Sequence, residues 1–207
     1  MPKTGGDITK RRILDVSEKL FSEQGYDKTS IEEIAKNAKI NKATIYFHFK
    51  NKNEIMTTLF MIIIEDLNKK IQTSFDKTDI SEINLVEKIK MEIEFISKRE
   101  KIITVMFMES LKKNNENNFL LKCAELVIED EFHSAAAKKK HADRKMSKEE
   151  KQRFYVHEFF TGFIPFVVFI IFRKQWSDYF DIEDKKLFEY FIDSFKKSHL
   201  DSHMKLE

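Results

Sequence analysis

Apolar residues recur at steps of three and four from near the start of the chain, the spacing of an amphipathic helix. Between Asp7 and Gln24 these are Ile13, Leu14, Leu20 and Phe21, while Lys10, Arg11, Asp15, Glu18 and Lys19 fall mostly on other faces. Gly25 supplies the left-handed conformation that ends such a helix, and Tyr26 follows as the apolar residue that packs back. Ser30-Ile31-Glu32-Glu33 has the capping-box form and opens a second, short helix with Ile34 and Ala35 inward, ending near Asn37 to Lys39. Asn41 caps a third helix over Lys42 to about His48, in which Ile45 and Phe49 face one core. Asn51-Lys52-Asn53-Glu54 begins a fourth, and Ile55, Leu59, Ile62, Ile63, Leu67 and Ile71 give it an apolar stripe about six turns long at 3.6 residues per turn.

The same spacing continues through Leu85 to Ser97, Ile102 to Leu111, and Phe119 to about Lys139, interrupted by the polar run Lys112 to Asn118. Lys138 to Lys145 reads as an exposed basic connection. Ser147-Lys148-Glu149-Glu150 is another capping box, opening a helix toward Arg173. From Phe159 to Phe172 that helix is apolar nearly all round. The run stops after 14 residues, short of the roughly 18 to 20 that a membrane span needs, so burial within protein is predicted. Asp181 is read as the cap of a last helix through Leu187, Phe188, Phe191, Ile192 and Phe195. Strand-like alternation never lasts beyond a few residues.

Composition supports an all-α fold. Only 4 glycines and 2 prolines occur in 207 residues, well under the usual shares of about 7% and 5%. With 42% hydrophobic and 35% charged residues the chain belongs with soluble globular proteins. Cys123 alone cannot form an internal disulfide, and the N-terminus has no apolar run resembling a secretory signal, so the expected location is the cytoplasm.

Charge changes the picture once it is divided along the chain. Residues 1–52 carry eleven Lys/Arg against seven Asp/Glu, a net of +4, which leaves −2 for residues 53–207. A basic start suits the phosphate attraction of a nucleic-acid binder, and a solvated face gives the same bias. Phenylalanine is skewed the other way, with 3 of 20 in residues 1–52, so most of the apolar interior belongs to the second part.

Other chemistry finds little footing. Asp130 and His133, three apart on one helix, resemble half of a carboxylate–histidine metal site, but a di-metal bundle wants a second such pair and the sequence offers none. There is no glycine-rich phosphate loop, no Cys-x-x-Cys and no nucleophile constellation. Neither an enzyme, a cofactor nor a metal is expected. Cys123 is read as a buried small hydrophobe.

Three short helices joined by tight turns suit a helix-turn-helix reader whose last helix enters the major groove, and equally suit a helical hairpin that binds nothing. The residues decide between them. Arg12-Ile13-Leu14, Leu20-Phe21, Gly25-Tyr26, Thr29-Ser30-Ile31, Ile34-Ala35 and Thr44 through Lys52 together resemble the DNA-binding domain of the TetR family over about the first quarter of the chain. The resemblance implies a helix-turn-helix DNA-binding domain at residues 1–52 and a larger helical-bundle domain for ligand binding and dimerisation at 53–207. It departs at Lys39, where the family generally has glycine, and at Asn41 and Ala43, which replace a common serine and glycine.

On that resemblance Lys42, Ala43, Thr44, Tyr46, Phe47 and His48 face DNA. Thr29 or Ser30 at the start of the second helix, with Lys52 at the start of the fourth, clamp phosphates. The implied protein is a homodimeric regulator, most often a repressor, that binds a palindromic double-stranded operator and is released by a small apolar or amphipathic ligand. Candidate pocket walls are Ile63, Leu67, Met91, Phe95, Met106, Phe107, Val127, Phe159 and Phe163, because methionine and aromatic residues line adaptable apolar cavities. The segment Phe159 to Phe172 is expected to pack on the Leu187 to Phe195 helix and, with a second copy, to form the dimer. The alternative reading is a helical metal- or lipid-binding protein without DNA function.

Overall fold

The computed structural model describes residues 5–75, 82–112, 118–132 and 147–200. Among these there are helices and turns and no strand. Among the described residues ten α-helices follow one another: α1 Gly5–Gln24, α2 Ile31–Asn37, α3 Lys42–His48, α4 Lys52–Ser74, α5 Glu82–Ser97, α6 Glu100–Ser110, α7 Phe119–Phe132, α8 Lys148–His157, α9 Ile164–Phe180 and α10 Asp184–Phe195. Two π-helical segments, Glu158–Phe163 and Lys196–Leu200, join α8 to α9 and extend α10. The expected exposed connection at Lys138–Lys145 and the side chains of Cys123, Asp130 and His133 lie outside the described residues.

The chain divides into two compact units, Met1–Asp66 with Lys101–Cys123, and Leu67–Glu100 with Ala124–Glu207. The boundary expected at 52/53 therefore marks only the start of α4. The first fold unit runs on through the first half of α4 and also takes in α6, because their apolar faces are buried with the head's: Ile13 and Phe21 of α1, Ile34 of α2, Ile45 of α3, Ile55 and Met56 of α4 and Ile102 of α6 are all essentially inaccessible. Each contributes about 1.5 to 3 kcal/mol of apolar burial.

In the second unit α9 lies against α10 through Phe169 and Phe191, whose rings stack 3.9 Å apart, and Arg173 forks onto Asp184 at 2.6 and 2.7 Å. Lys151 and Tyr155 of α8 both reach Glu129 of α7. The capping box at Ser147 and Glu150 forms in both directions.

Two features differ from the sequence reading. Asp181 does not cap α10; at φ 50° it is the left-handed residue that ends α9, and Glu183 takes the cap position. The helix opened at Ser147 does not stop near Arg173. Lys148–Phe180 is one helical run of 33 residues, long and apolar enough by length and composition to cross a membrane. The π turn in its middle has a local cause: Pro165 has no N–H to give and its ring would press on the preceding turn, so the helix widens just before it. Inward, the run buries Val167, Phe169, Ile170 and Ile171; outward it shows Phe160, Phe172, Trp176 and Tyr179.

Candidate nucleic-acid interface

The turn between α2 and α3 is closed by Ala38 N–H on Ile34 O at 2.8 Å and Ile40 N–H on Ala35 O at 3.1 Å. Between them Lys39 takes φ 53°, the conformation glycine would adopt without steric cost. The turn thus keeps the geometry a glycine would give, at a cost of about 1 kcal/mol. Asn41 then caps α3, its Oδ1 accepting from Thr44 N–H and from the Thr44 hydroxyl, each at 2.7 Å.

Seven residues give α3 two faces. Ile45, fully buried, and Phe49, just past its end, point into the unit. Lys42, Ala43, Tyr46 and Phe47, related by steps of three and four, point outward. Tyr46 is 49% exposed and Phe47 84%. His48 is half-buried, edge-on to the Phe47 ring at 5.1 Å, and Thr44 is half-buried with its hydroxyl engaged by the cap. The Lys42 ammonium pairs with Glu32 and lies 5.8 Å over the Tyr46 ring. The bond to Glu32 raises the lysine above its ordinary range and lowers the carboxyl.

Two expected phosphate contacts have other work. Thr29 is 1% exposed; its hydroxyl donates to Gly25 O at 2.8 Å and accepts from Gln24 Nε2 at 3.2 Å, and its N–H donates to Tyr26 O. Ser30, by contrast, is exposed and caps α2 through Glu33 N–H at 3.1 Å. Glu33 does not complete the capping box; its carboxylate accepts from Gln24 at 2.7 Å instead. Lys52 points back into its own unit. Its ammonium donates to Tyr26 O at 2.6 Å and Thr29 O at 2.9 Å and sits 4.1 Å over the Tyr26 ring. Burial there lowers its pKa. Lys52 therefore staples the α1–α2 loop.

The same loop is gripped by residues that sequence spacing could not connect to it. Lys112, just beyond α6, contacts Asp27 at 2.5 Å and Glu109 at 2.7 Å. Tyr26, enclosed between these groups and Lys52, has its phenol pushed up to about 12, first by burial and then by the neighbouring Glu109 and Asp27 carboxylates.

The candidate ligand residues divide. Ile63, Met106 and Phe107 belong to the first unit; Leu67, Met91, Phe95, Val127, Phe159 and Phe163 belong to the second. Ile63, Leu67 and Met106 are buried, and the others are half-buried. Phe159 and Phe163 stack 6.0 Å apart. Phe95 carries Arg99 at 4.2 Å and Lys70 at 5.7 Å, which makes it a cation platform.

Residues 13–59 match the family model of bacterial regulatory proteins, tetR family. Over 72 residues the chain is 38% identical to the biofilm operon icaADBC HTH-type negative transcriptional regulator IcaR of Staphylococcus aureus, covering 35% of this chain and 39% of that protein. Over 76 residues it is 37% identical to the HTH-type transcriptional regulator AcrR of Shigella flexneri, covering 35% of each. The matched stretch thus spans well under half the length of these relatives. Among solved structures, a tetR-family transcriptional regulator from Streptomyces coelicolor aligns with a TM-score of 0.61 at 13% identity, over 94% of this chain and 81% of the other. Salmonella enterica GusR aligns with a TM-score of 0.62 at 13% identity, over 95% and 97%. These structures share the fold.

Proposed function

Because residues 13–59 match the family model of bacterial regulatory proteins, tetR family, we propose that this chain is a DNA-binding transcriptional repressor. It reads a palindromic operator as a homodimer and leaves it when a small apolar or amphipathic ligand binds. The observation that carries the reading is Phe47, 84% exposed beside Tyr46 on a helix whose other face is buried. An aromatic pair held outward by a well-anchored helix does nothing for the fold and suits apolar contact with thymine methyls and hydrogen bonding to backbone oxygens. Lys42, Ala43 and Ser30 complete the face.

The homodimer is supported by the outward aromatics of α9, with Phe172, Trp176, Tyr179 and Phe180 exposed. A second copy covering them gives a two-fold, four-helix interface, and this occupant, in place of a membrane, fits a cytoplasmic regulator. Two-fold symmetry calls for a palindrome, with recognition helices about 34 to 36 Å apart. Repression follows the relative whose name describes a negative regulator, and the chain is assigned no catalytic activity.

Selection of bound genomic fragments, followed by footprinting and sedimentation, tests the proposal. A two-fold symmetric protected site and a dimer mass are expected. A monomer that enriches no fragment at low salt overturns it and favours a helical carrier of lipid or metal.

A further inference from the structure

The turn between α2 and α3 carries a lysine that the fold does not need. Lys39 holds φ 53°, where the Cβ of any L side chain is crowded and glycine is not. Backbone groups close the turn: the N–H groups of Ala38, Lys39 and Ile40 donate to the carbonyls of Ile34, Lys36 and Ala35 at 2.8, 3.2 and 3.1 Å. A glycine at this position would make the same bonds without the strain. The lysine side chain adds nothing locally. It is exposed, and among the described residues its ammonium has no hydrogen bond, ion pair or aromatic partner.

Charge around the turn is one-sided. Between Glu33 and Glu54 the chain has five lysines and no acidic residue. Two of the five are engaged, Lys42 with Glu32 and Lys52 with the carbonyls of Tyr26 and Thr29. Of the other three, Lys36, Lys39 and Lys50, only Lys39 has a positive φ. It stands two residues ahead of Asn41, the cap that starts α3. A reading helix meets base edges with its N-terminal residues, so the turn that leads into it runs beside the phosphates bordering the groove. A long cationic side chain on that turn can bind one without giving up any protein partner.

We propose that Lys39 is a DNA-backbone contact, its ammonium binding a phosphate that flanks the groove occupied by α3. The inference rests on the DNA-binding proposal and adds to it a residue that positions the head on the duplex. Lys39 carries no base preference, because phosphate contacts fix register and orientation without reading sequence. A side chain that strains the free head thus strengthens the bound one, and replacement by glycine moves stability and affinity in opposite directions.

The test measures binding of the full chain to a selected genomic fragment and to a scrambled duplex of equal length over a salt series, with thermal unfolding of each variant alongside. Lys39→Gly is expected to unfold a few degrees above the parent. It should nevertheless bind both duplexes about 5- to 10-fold more weakly per subunit engaged at about 0.1 M salt, with the slope of log affinity against log salt reduced by about 0.9 per contact. Lys39→Gln keeps the Cβ and removes the charge, so it loses the same affinity without the gain in stability, and Lys39→Arg retains the affinity. Lys101→Gln, which removes a charge from α6, leaves affinity and slope unchanged. Lys39→Gly and Lys39→Gln chains that bind as tightly as the parent, with the same slope, overturn the assignment and leave the DNA-binding proposal standing. So does an equal loss in Lys101→Gln, the mark of a diffuse field. A parent chain that binds neither duplex at low salt removes the DNA-binding proposal and this contact together.

Discussion

Lys112 Nζ lies 2.5 Å from Asp27 Oδ2, joining the end of α6 to the loop between α1 and α2 across 85 positions of sequence. From the other side Lys52 holds the carbonyls of Tyr26 and Thr29. The loop these lysines grip decides where α2 begins, and α2 in turn carries the turn at Lys39 that places α3. The outward aim of Tyr46 and Phe47 thus rests on contacts made by residues that touch no DNA.

The two grips differ in strength. Lys52→Ala leaves two carbonyls without their donor and removes a cation from the Tyr26 ring, so stability falls by about 1 to 3 kcal/mol. Lys112→Ala breaks an exposed pair and costs under about 1 kcal/mol, less still in high salt. Urea unfolding of both variants at low and high salt checks this; equal losses would contradict the assignment of Lys52 as a buried staple.

Alkaline pH reports on Tyr26. A phenol raised from 10.0 to about 12 in the folded state contributes stability that is complete below pH 10 and is lost as pH rises from 10 toward 12. Lys52, lowered by burial, works in the opposite direction. Tyr26→Phe removes the phenol alone, so the variant should lose less stability than the parent over that window. Identical pH profiles would show that Tyr26 ionises as it does in the unfolded chain.

At Lys39 a lysine side chain occupies φ 53°. Lys39→Gly relieves that strain at some cost in unfolded-chain entropy, for a net gain of about 0.5 to 1 kcal/mol. A thermal midpoint raised by a few degrees is expected, and a lowered one would mean that the lysine side chain makes a stabilising contact.

Local signals were legible in the sequence wherever one turn sufficed to write them. Ser30, Asn41 and Ser147 cap the helices they announce, Gly25 ends α1, and Ile45 and Phe49 point inward. Thr29 or Ser30 and Lys52 are expected at phosphates from the family resemblance alone, which carries no information on the inward hydrogen bonds that the Thr29 hydroxyl and the Lys52 ammonium make to backbone carbonyls. Asp181 reads as an N-cap because aspartate suits that position, yet it suits the left-handed end of a helix equally well. The pairing of Lys112 with Asp27 depends on tertiary packing across dozens of residues and leaves no periodic trace. The π turn had a trace in Pro165, which spacing at 3.6 residues does not register.

Glu32 competes with DNA for Lys42. Glu32→Gln releases the ammonium and removes a negative charge from the reading face, so operator affinity should rise a few-fold at low salt, with the gain shrinking as salt screens it. Lys42→Ala should lower the slope of log affinity against log salt by about 1. An unchanged slope would place Lys42 away from the phosphates.

The decisive quantity is the affinity of the full chain for a selected genomic fragment, compared with that of the Tyr46→Ala, Phe47→Ala double variant at one salt concentration. Both side chains are exposed, so the variant should unfold at the same temperature as the parent. Two lost groove contacts at about 1 to 3 kcal/mol each predict binding weaker by about 30-fold or more. A folded variant that binds the fragment as tightly as the parent would contradict the placement of α3 in the groove.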